Sequence, residues 1–198
     1  EQILDHRAVD EEAWPASKNN PLLFVTDVLG ATPEPWQSEA LTALATEDRI
    51  AIRSGHGVGK TTFECWAALW FLLTRYPCRV PVTANSQDQL RDVVWAELGF
   101  WMRRLPQELQ DQLVLTADRL ALKAAAGDGF AVSRTGSKDR PEALQGFHCE
   151  NMLFIIEEAS GIEEVVFQVA QGALSTPGAK VIMAGNPTRN DGYFHRAF

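Results

Sequence analysis

The chain has 198 residues, 45% of them apolar and 22% charged, which is enough for one soluble globular domain with a full core. Acidic residues outnumber Lys and Arg by 26 to 18, giving a net charge of −8, which argues against a surface that grips nucleic acid all over but leaves room for a local basic patch. No apolar run reaches transmembrane length, the longest lying around Trp66 to Leu73, and no secretory signal opens the chain.

Residues 1–20 are polar and acidic and read as an N-terminal arm, with Trp14 a candidate docking residue. The opening Glu1, in place of Met, is expected of a processed or trimmed polypeptide. PLLFVTDVLG, from Pro21, reads as a short helix ended by Gly30, and Ala31 to Pro35 as a stiff linker. Trp36 then begins a helix running to about Thr46. Ile50-Ala51-Ile52 is a buried strand, and Thr61 to Arg75 is one helix, apolar nearly all round and so expected to lie against a sheet. Tyr76-Pro77 stops that helix, and Arg79 to Ala84 forms a second strand. Ser86 to Leu105 is a long helix, capped by Ser86 and Gln89 and carrying an apolar stripe through Trp95, Leu98 and Met102. Asp111 to Arg134 reads as short antiparallel strands (LVLTAD, RLALKA, FAVSR), and RTGSKDRP, from Arg134 to Pro141, as a polar loop. Asn151 to Ile156 is a central buried strand, Gly161 to Leu174 a helix, and Lys180 to Ala184 a further strand. Alternating strands and helices predict a mainly parallel α/β sheet with ligands at the strand C-terminal ends and a short antiparallel insertion or edge. Cys65, Cys78 and Cys149 show no metal-ligand spacing and read as reduced thiols, and the four histidines show no metal cluster.

One stretch carries specific chemistry. IAIRSGHGVGKTT, from Ile50 to Thr62, places a strand, a glycine-rich turn and a helix N-terminus in succession. Gly55, Gly57 and Gly59 let backbone N–H groups converge on phosphate, and the helix dipole adds positive potential there. Lys60 can reach β- and γ-phosphates, and the Thr61 hydroxyl can ligate Mg²⁺. Ser54, His56, Val58 and Thr62 complete the cradle, with Ser54 standing where the strict motif has its first glycine. Gln37, just upstream, either reads adenine through its amide or is a solvated helix residue. The second half of such a site is an apolar strand ending in carboxylates. Here Glu157 would hold Mg²⁺ and Glu158 would polarise the attacking water, unless both are solvated acids at a strand end. Asn186 or Thr188, after the last strand, either senses the γ-phosphate or merely makes the turn.

With these residues in view, the chain resembles the ATPase domain of the large terminase subunit of tailed bacteriophages. The resemblance spans about Pro21 to Phe198 and rests on PEPWQSEAL, RSGHGVGKTT, VTANSQDQL, RPEALQGFH, LFIIEEASGI and AGNPTRNDGYF in that order. It implies a RecA-like P-loop fold of the additional-strand, catalytic-glutamate class, with residues 21–198 as the ATPase domain. Gln37 would bind adenine, Lys60 and Thr61 the phosphates and Mg²⁺, and Glu158 would be the catalytic base. Gly185-Asn186-Pro187, with Thr188, would be the motif that couples ATP hydrolysis to DNA movement. The implied partners are double-stranded DNA, the portal protein and small terminase subunit, and further copies in a ring, often a pentamer, in the cytoplasm of the infected bacterial host; no membrane partner is expected. A neighbouring subunit would supply an arginine finger, with Arg140 the first candidate and Arg53 an alternative able to act within one subunit. Glu157 departs from the Asp usual in the family. The family's nuclease domain has no counterpart in this sequence, so no DNA cutting is expected.

Two other readings compete. A helicase-like translocase core would need a second RecA-like domain, for which 198 residues leave no room. A nucleotide-binding assembly module would bind ATP with little hydrolysis of its own. Arg91, Arg103 and Arg104 are either phosphate contacts or part of a solvated helix face.

Overall fold

The computed structural model describes residues 16–135, 147, 149–173 and 177–198. Trp14, Lys138 and Arg140, most of the segment RPEALQGFH, and the expected helix end at Leu174 lie outside the described residues.

Seven strands form one sheet in the order β1-β7-β6-β2-β5-β4-β3. They are β1 (Arg49–Arg53), β2 (Cys78–Thr83), β3 (Leu113–Leu115), β4 (Arg119–Leu122), β5 (Gly129–Ser133), β6 (Asn151–Ile156) and β7 (Lys180–Gly185). The neighbours β1, β7, β6, β2 and β5 all run parallel, while β4 pairs antiparallel with β5 and with β3. The 111–134 stretch is therefore an antiparallel edge as expected, but with one difference. FAVSR joins β2 in parallel, because Cys78 to Val82 lie alongside Gly129 to Ser133 and extend the central sheet before the chain reverses.

The helices are α1 (Pro21–Leu23), which runs on as a π-helix over Phe24–Val28, then α2 (Pro35–Thr46), α3 (Lys60–Thr74), α4 (Ala96–Met102), α5 (Gln107–Gln110), α6 (Glu164–Ala173) and α7 (Gly192–His195). Period-two alternation divides the strands between two cores. Leu153, Ile155, Ile182 and Ala184 face the larger core with α2, α3 and α4, whereas Phe154, Ile156, Val181 and Met183 face the smaller one with Val166, Phe167 and Phe194 of α6 and α7. Helix α3 is buried on almost every side, from Phe63 to Thr74, as its composition requires. Its Trp70 indole donates to the Ser17 carbonyl at 3.1 Å, and Arg75 just beyond donates to the Lys18 carbonyl at 2.7 Å. None of the described helices is long and apolar enough to cross a membrane.

Two helices differ from the sequence reading. The long helix expected from Ser86 is a π-helix over Gln89–Trp95 that passes into α4 and ends at Met102. Its Ser86 Oγ does accept from the Gln89 amide at 3.1 Å, and the wider winding turns Leu90, Val94 and Trp95 all inward. The helix expected from Gly161 starts later, at Glu164, because the chain first makes a tight turn over Ala159–Gly161 and runs extended at Ile162.

Candidate functional site

The C-terminal ends of β1, β7 and β6 lie side by side, with β7 between the other two. Each delivers one part of a site. From β1 the chain enters the turn Ser54 to Gly59, with Gly57 at φ +70° and Gly59 at φ +86°. These left-handed conformations suit glycine and would strain most other residues. Gly59 precedes α3, so the helix N-terminus points at the turn.

Lys60 is buried, and its ammonium donates to the Gly55 carbonyl at 2.6 Å and to Asn186 Oδ1 at 3.2 Å. Asn186 thus joins the end of β7 to the cradle. Its amide Nδ2 lies 2.7 Å from His56 Nε2 and 2.9 Å from His56 Nδ1, so one side chain bridges two positions of the glycine turn. The Thr61 hydroxyl donates to Glu157 Oε1 at 2.6 Å, tying α3 to the end of β6. The other Glu157 oxygen, Oε2, is buried without a hydrogen-bond partner among the described residues, as is the Ser54 hydroxyl. The Thr61 hydroxyl and the Glu157 carboxylate, with its orphaned Oε2, form a hard oxygen donor set that fits Mg²⁺.

Glu158 adopts φ 50° and ψ 47°, the left-handed region that a non-glycine residue enters at a cost of about 1–3 kcal/mol. The turn that follows holds it there. Asn85 Nδ2 donates to the Glu158 carbonyl at 3.4 Å, and the Gly161 amide donates to the same carbonyl at 3.0 Å. Behind this turn, Ser160 and Thr188 share a hydroxyl hydrogen bond of 3.0 Å. Gly185 lets the two segments meet, since a Cβ there would stand 2.9 Å from the Ala159 amide nitrogen and 3.2 Å from that of Ser160. The structure thus brings together the glycine turn, Lys60, Thr61, Glu157 and Asn186, and backs Glu158 against the Gly185–Thr188 turn.

Gln37 is buried rather than solvated. Its Nε2 donates to the Gly59 carbonyl at 2.9 Å, and its Oε1 accepts from the Glu34 amide at 2.8 Å. It therefore pins the start of α2 to the cradle. Beside it an open cleft of about 1140 Å³ runs along β1 and α2, lined in part by Trp36, Gln37, Ile52, Arg53, Val58 and Phe198. Arg53 lies over the Phe198 ring, 4.7 Å from its centroid. Thr62 turns away from the cradle to donate to Glu97 Oε1 at 2.7 Å, where the Trp101 indole also donates at 2.8 Å. Of the possible phosphate-contacting arginines, Arg91 is paired with Asp88 and Asp92, and Arg104 lies over Phe100 and Trp101.

Sequence reasoning missed Glu64. It lies on α3 at 1% exposure, with neither carboxyl oxygen hydrogen-bonded among the described residues. Burial, then the neighbouring Glu157, holds its carboxyl well above the ordinary range. The available signal was a lone carboxylate in a helix whose composition demands burial all round.

No family model matches the chain. A probable terminase large subunit of Enterobacteria phage P7 is 29% identical over 180 residues, covering 87% of this chain and 36% of the relative. The chain therefore spans about a third of the length of that curated relative. Among solved structures, the large terminase ATPase domain of Thermus phage P74-26 superposes with a TM-score of 0.69 at 20% identity, over 87% of this chain and 72% of that one. The HK97 bacteriophage large terminase superposes with a TM-score of 0.66 at 14% identity, over 85% of this chain and 37% of that one. Those domains have the RecA-like P-loop fold, and the strand β7 between β1 and β6 is the additional strand expected from the sequence. The chain is similar in sequence to a bacteriophage large terminase subunit and has the fold of large terminase ATPase domains.

Proposed function

We propose that this chain binds and hydrolyses ATP as the motor domain of a phage DNA-packaging machine, moving double-stranded DNA into a procapsid. The observation that carries the reading is the Thr61–Glu157 hydrogen bond of 2.6 Å, which joins the phosphate cradle to the carboxylate strand. The large terminase of a thermophilic bacteriophage, of similar fold, has been solved with ADP and with ATP-γ-S, which supports a nucleotide as the ligand.

In this reading the adenine lies by Gln37, whose second amide proton is free of the Gly59 bond. Residues 54–59 hold the phosphates with backbone N–H groups. Lys60 exchanges its two oxygen partners for the more strongly charged β- and γ-phosphate oxygens. Thr61 and Glu157 would hold Mg²⁺, which when bound neutralises charge on those oxygens. Glu158, fixed by its turn, orients a water and accepts its proton. The water oxygen bonds to the γ-phosphorus, the bond from that phosphorus to the bridging oxygen breaks, and ADP and phosphate leave. Gly185 to Thr188 is the coupling element, a role supported by the contacts of Asn186 with Lys60 and His56 and of Thr188 with Ser160 in the turn after Glu158. Residues 21–198 are the ATPase domain and residues 1–20 an arm. The partners are DNA, the portal, the small terminase subunit and further copies in a ring, at the portal in the host cytoplasm. Arg140 from a neighbouring subunit completes the charge stabilisation, or Arg53 does so within one subunit.

Steady-state ATP hydrolysis across a wide range of protein concentration tests this, with Glu158→Gln as the blank. Activity that rises with concentration, and loses that rise in Arg140→Ala, is the expected result. Flat activity above the blank assigns the finger to Arg53. Binding with turnover equal to the blank at every concentration refutes hydrolysis by this chain and leaves a nucleotide-binding assembly module.

A further inference from the structure

Helix α3 fills its core positions with Phe63, Cys65, Trp66, Leu69, Trp70 and Phe71, and places one carboxylate among them. Glu64 stands three residues after Thr61, so the two side chains share a helix face. Glu64 meets no donor among the described residues, and its carboxyl lies within hydrogen-bond reach of the Glu157 carboxyl, so two buried acids face each other. The charged neighbours of Glu64 are Glu157, Glu158 and Lys60, all of the site described above. A position with a purely packing role would be apolar, since a buried carboxylate without a donor is destabilising. The unmet need is for donors and positive charge, which a hydrated divalent cation supplies together.

We infer that Glu64 is a further residue of the cation site, accepting hydrogen bonds from water on the divalent ion that Thr61 and Glu157 would hold. This rests on the nucleotide-site reading. Glu64 does not ligate the ion in this arrangement; it positions the ion's water and, through it, the Glu157 carboxylate. A second carboxyl beside Glu157 gives the hydration shell a fixed acceptor.

The test measures the affinity of a fluorescent, non-hydrolysable ATP analogue for the full chain in Mn²⁺ and in EDTA, with melting temperatures of the free chain. The variants are Glu64→Gln, nearly isosteric, and Glu64→Met, apolar and of similar length. In the parent, Mn²⁺ tightens binding. In both variants the Mn²⁺/EDTA affinity ratio is expected to fall about 10-fold or more, with affinity in EDTA held. Both are also expected to melt at a higher temperature than the parent, because a buried acid facing the Glu157 carboxyl is gone. An unchanged ratio, an equal loss in Mn²⁺ and EDTA, or a lower melting temperature in both variants overturns the inference and makes Glu64 structural. Analogue binding to the parent with no tightening by Mn²⁺ overturns this inference alone. No binding in either condition overturns the nucleotide reading as well.

Discussion

Gly185→Ala isolates the close approach on which the site's geometry depends. The added Cβ would stand 2.9 Å from the Ala159 nitrogen, 3.2 Å from the Ser160 nitrogen and 3.4 Å from the Glu158 carbonyl carbon. All three are backbone atoms, so no rotamer change can make room, and either the end of β7 or the 158–161 turn must move. Strain of this kind costs about 1–3 kcal/mol. At about 2–4 °C per kcal/mol for a domain of this size, melting falls by roughly 2–12 °C. Gly178→Ala is the control: its φ of +80° gives backbone strain, but a Cβ there meets nothing within 4 Å and touches no part of the site. Both variants should lose stability, but Gly185→Ala alone should also lose ATP turnover, because the displaced turn carries Glu158. Thermal unfolding and turnover at saturating ATP are the assays. Wild-type turnover in Gly185→Ala would sink the reasoning, since it would mean that the turn tolerates displacement.

Thr61→Val keeps the side-chain shape but removes the donor to Glu157 Oε1, leaving both Glu157 oxygens without one. Turnover should fall about 10–100-fold and recover in Thr61→Ser, and a fully active Thr61→Val would refute the ligand assignment. Burial pushes the Cys78 thiol up to about 12 from its ordinary 9.0. Above 9.0 the unfolded chain therefore releases a proton that the folded chain keeps, and stability falls as pH rises towards about 12. The loss is about 1.4 kcal/mol per pH unit in that window, and the slope should be absent from the Cys78→Ala minus parent difference only if this account is wrong; urea midpoints at successive alkaline pH values decide it. Trp70→Ala should cost about 3–5 kcal/mol in urea unfolding, since it empties a fully buried site and removes the indole donor to the Ser17 carbonyl. A loss below 1 kcal/mol would show that the 16–20 segment is not packed on α3 in solution.

The parts of the site legible in the sequence are those in which local chemistry and chain order agree. The strand β1, the glycines 57 and 59 and Lys60 are contiguous, so their geometry follows from one stretch. Met152–Ile156 is apolar throughout because it is covered on both faces, and its end marks Glu157. What was illegible depended on distant partners. The burial of Glu64 could be read from its apolar helix, but its partner Glu157, ninety-three positions later, could not. The burial of Gln37 is set by the Gly59 carbonyl, twenty-two positions on, and its neighbours say nothing of that. The π-helix at Gln89–Trp95 brings Leu90, Val94 and Trp95 into one core, and nothing local in the sequence signals its wider winding. The late start of α6 follows from the left-handed Glu158, a backbone state that a glutamate gives no hint of.

Strand β7 is held by hydrogen-bond ladders on both sides, Ile182 lying opposite Ile50 of β1 and Ile155 of β6. A plank fastened along both edges is stiff to sliding, because any shift breaks two ladders at once. The cross-linked strand ends at Gly185, and the next side chain, Asn186, touches Lys60 and His56. In the proposed function, a force applied at Asn186 by a changing phosphate would therefore meet little compliance in the sheet. It passes forward into Pro187, whose ring fixes φ, and on to Thr188 and its hydroxyl contact with Ser160. The sheet acts as the anvil, and the path from Asn186 ends on the turn that carries Glu158.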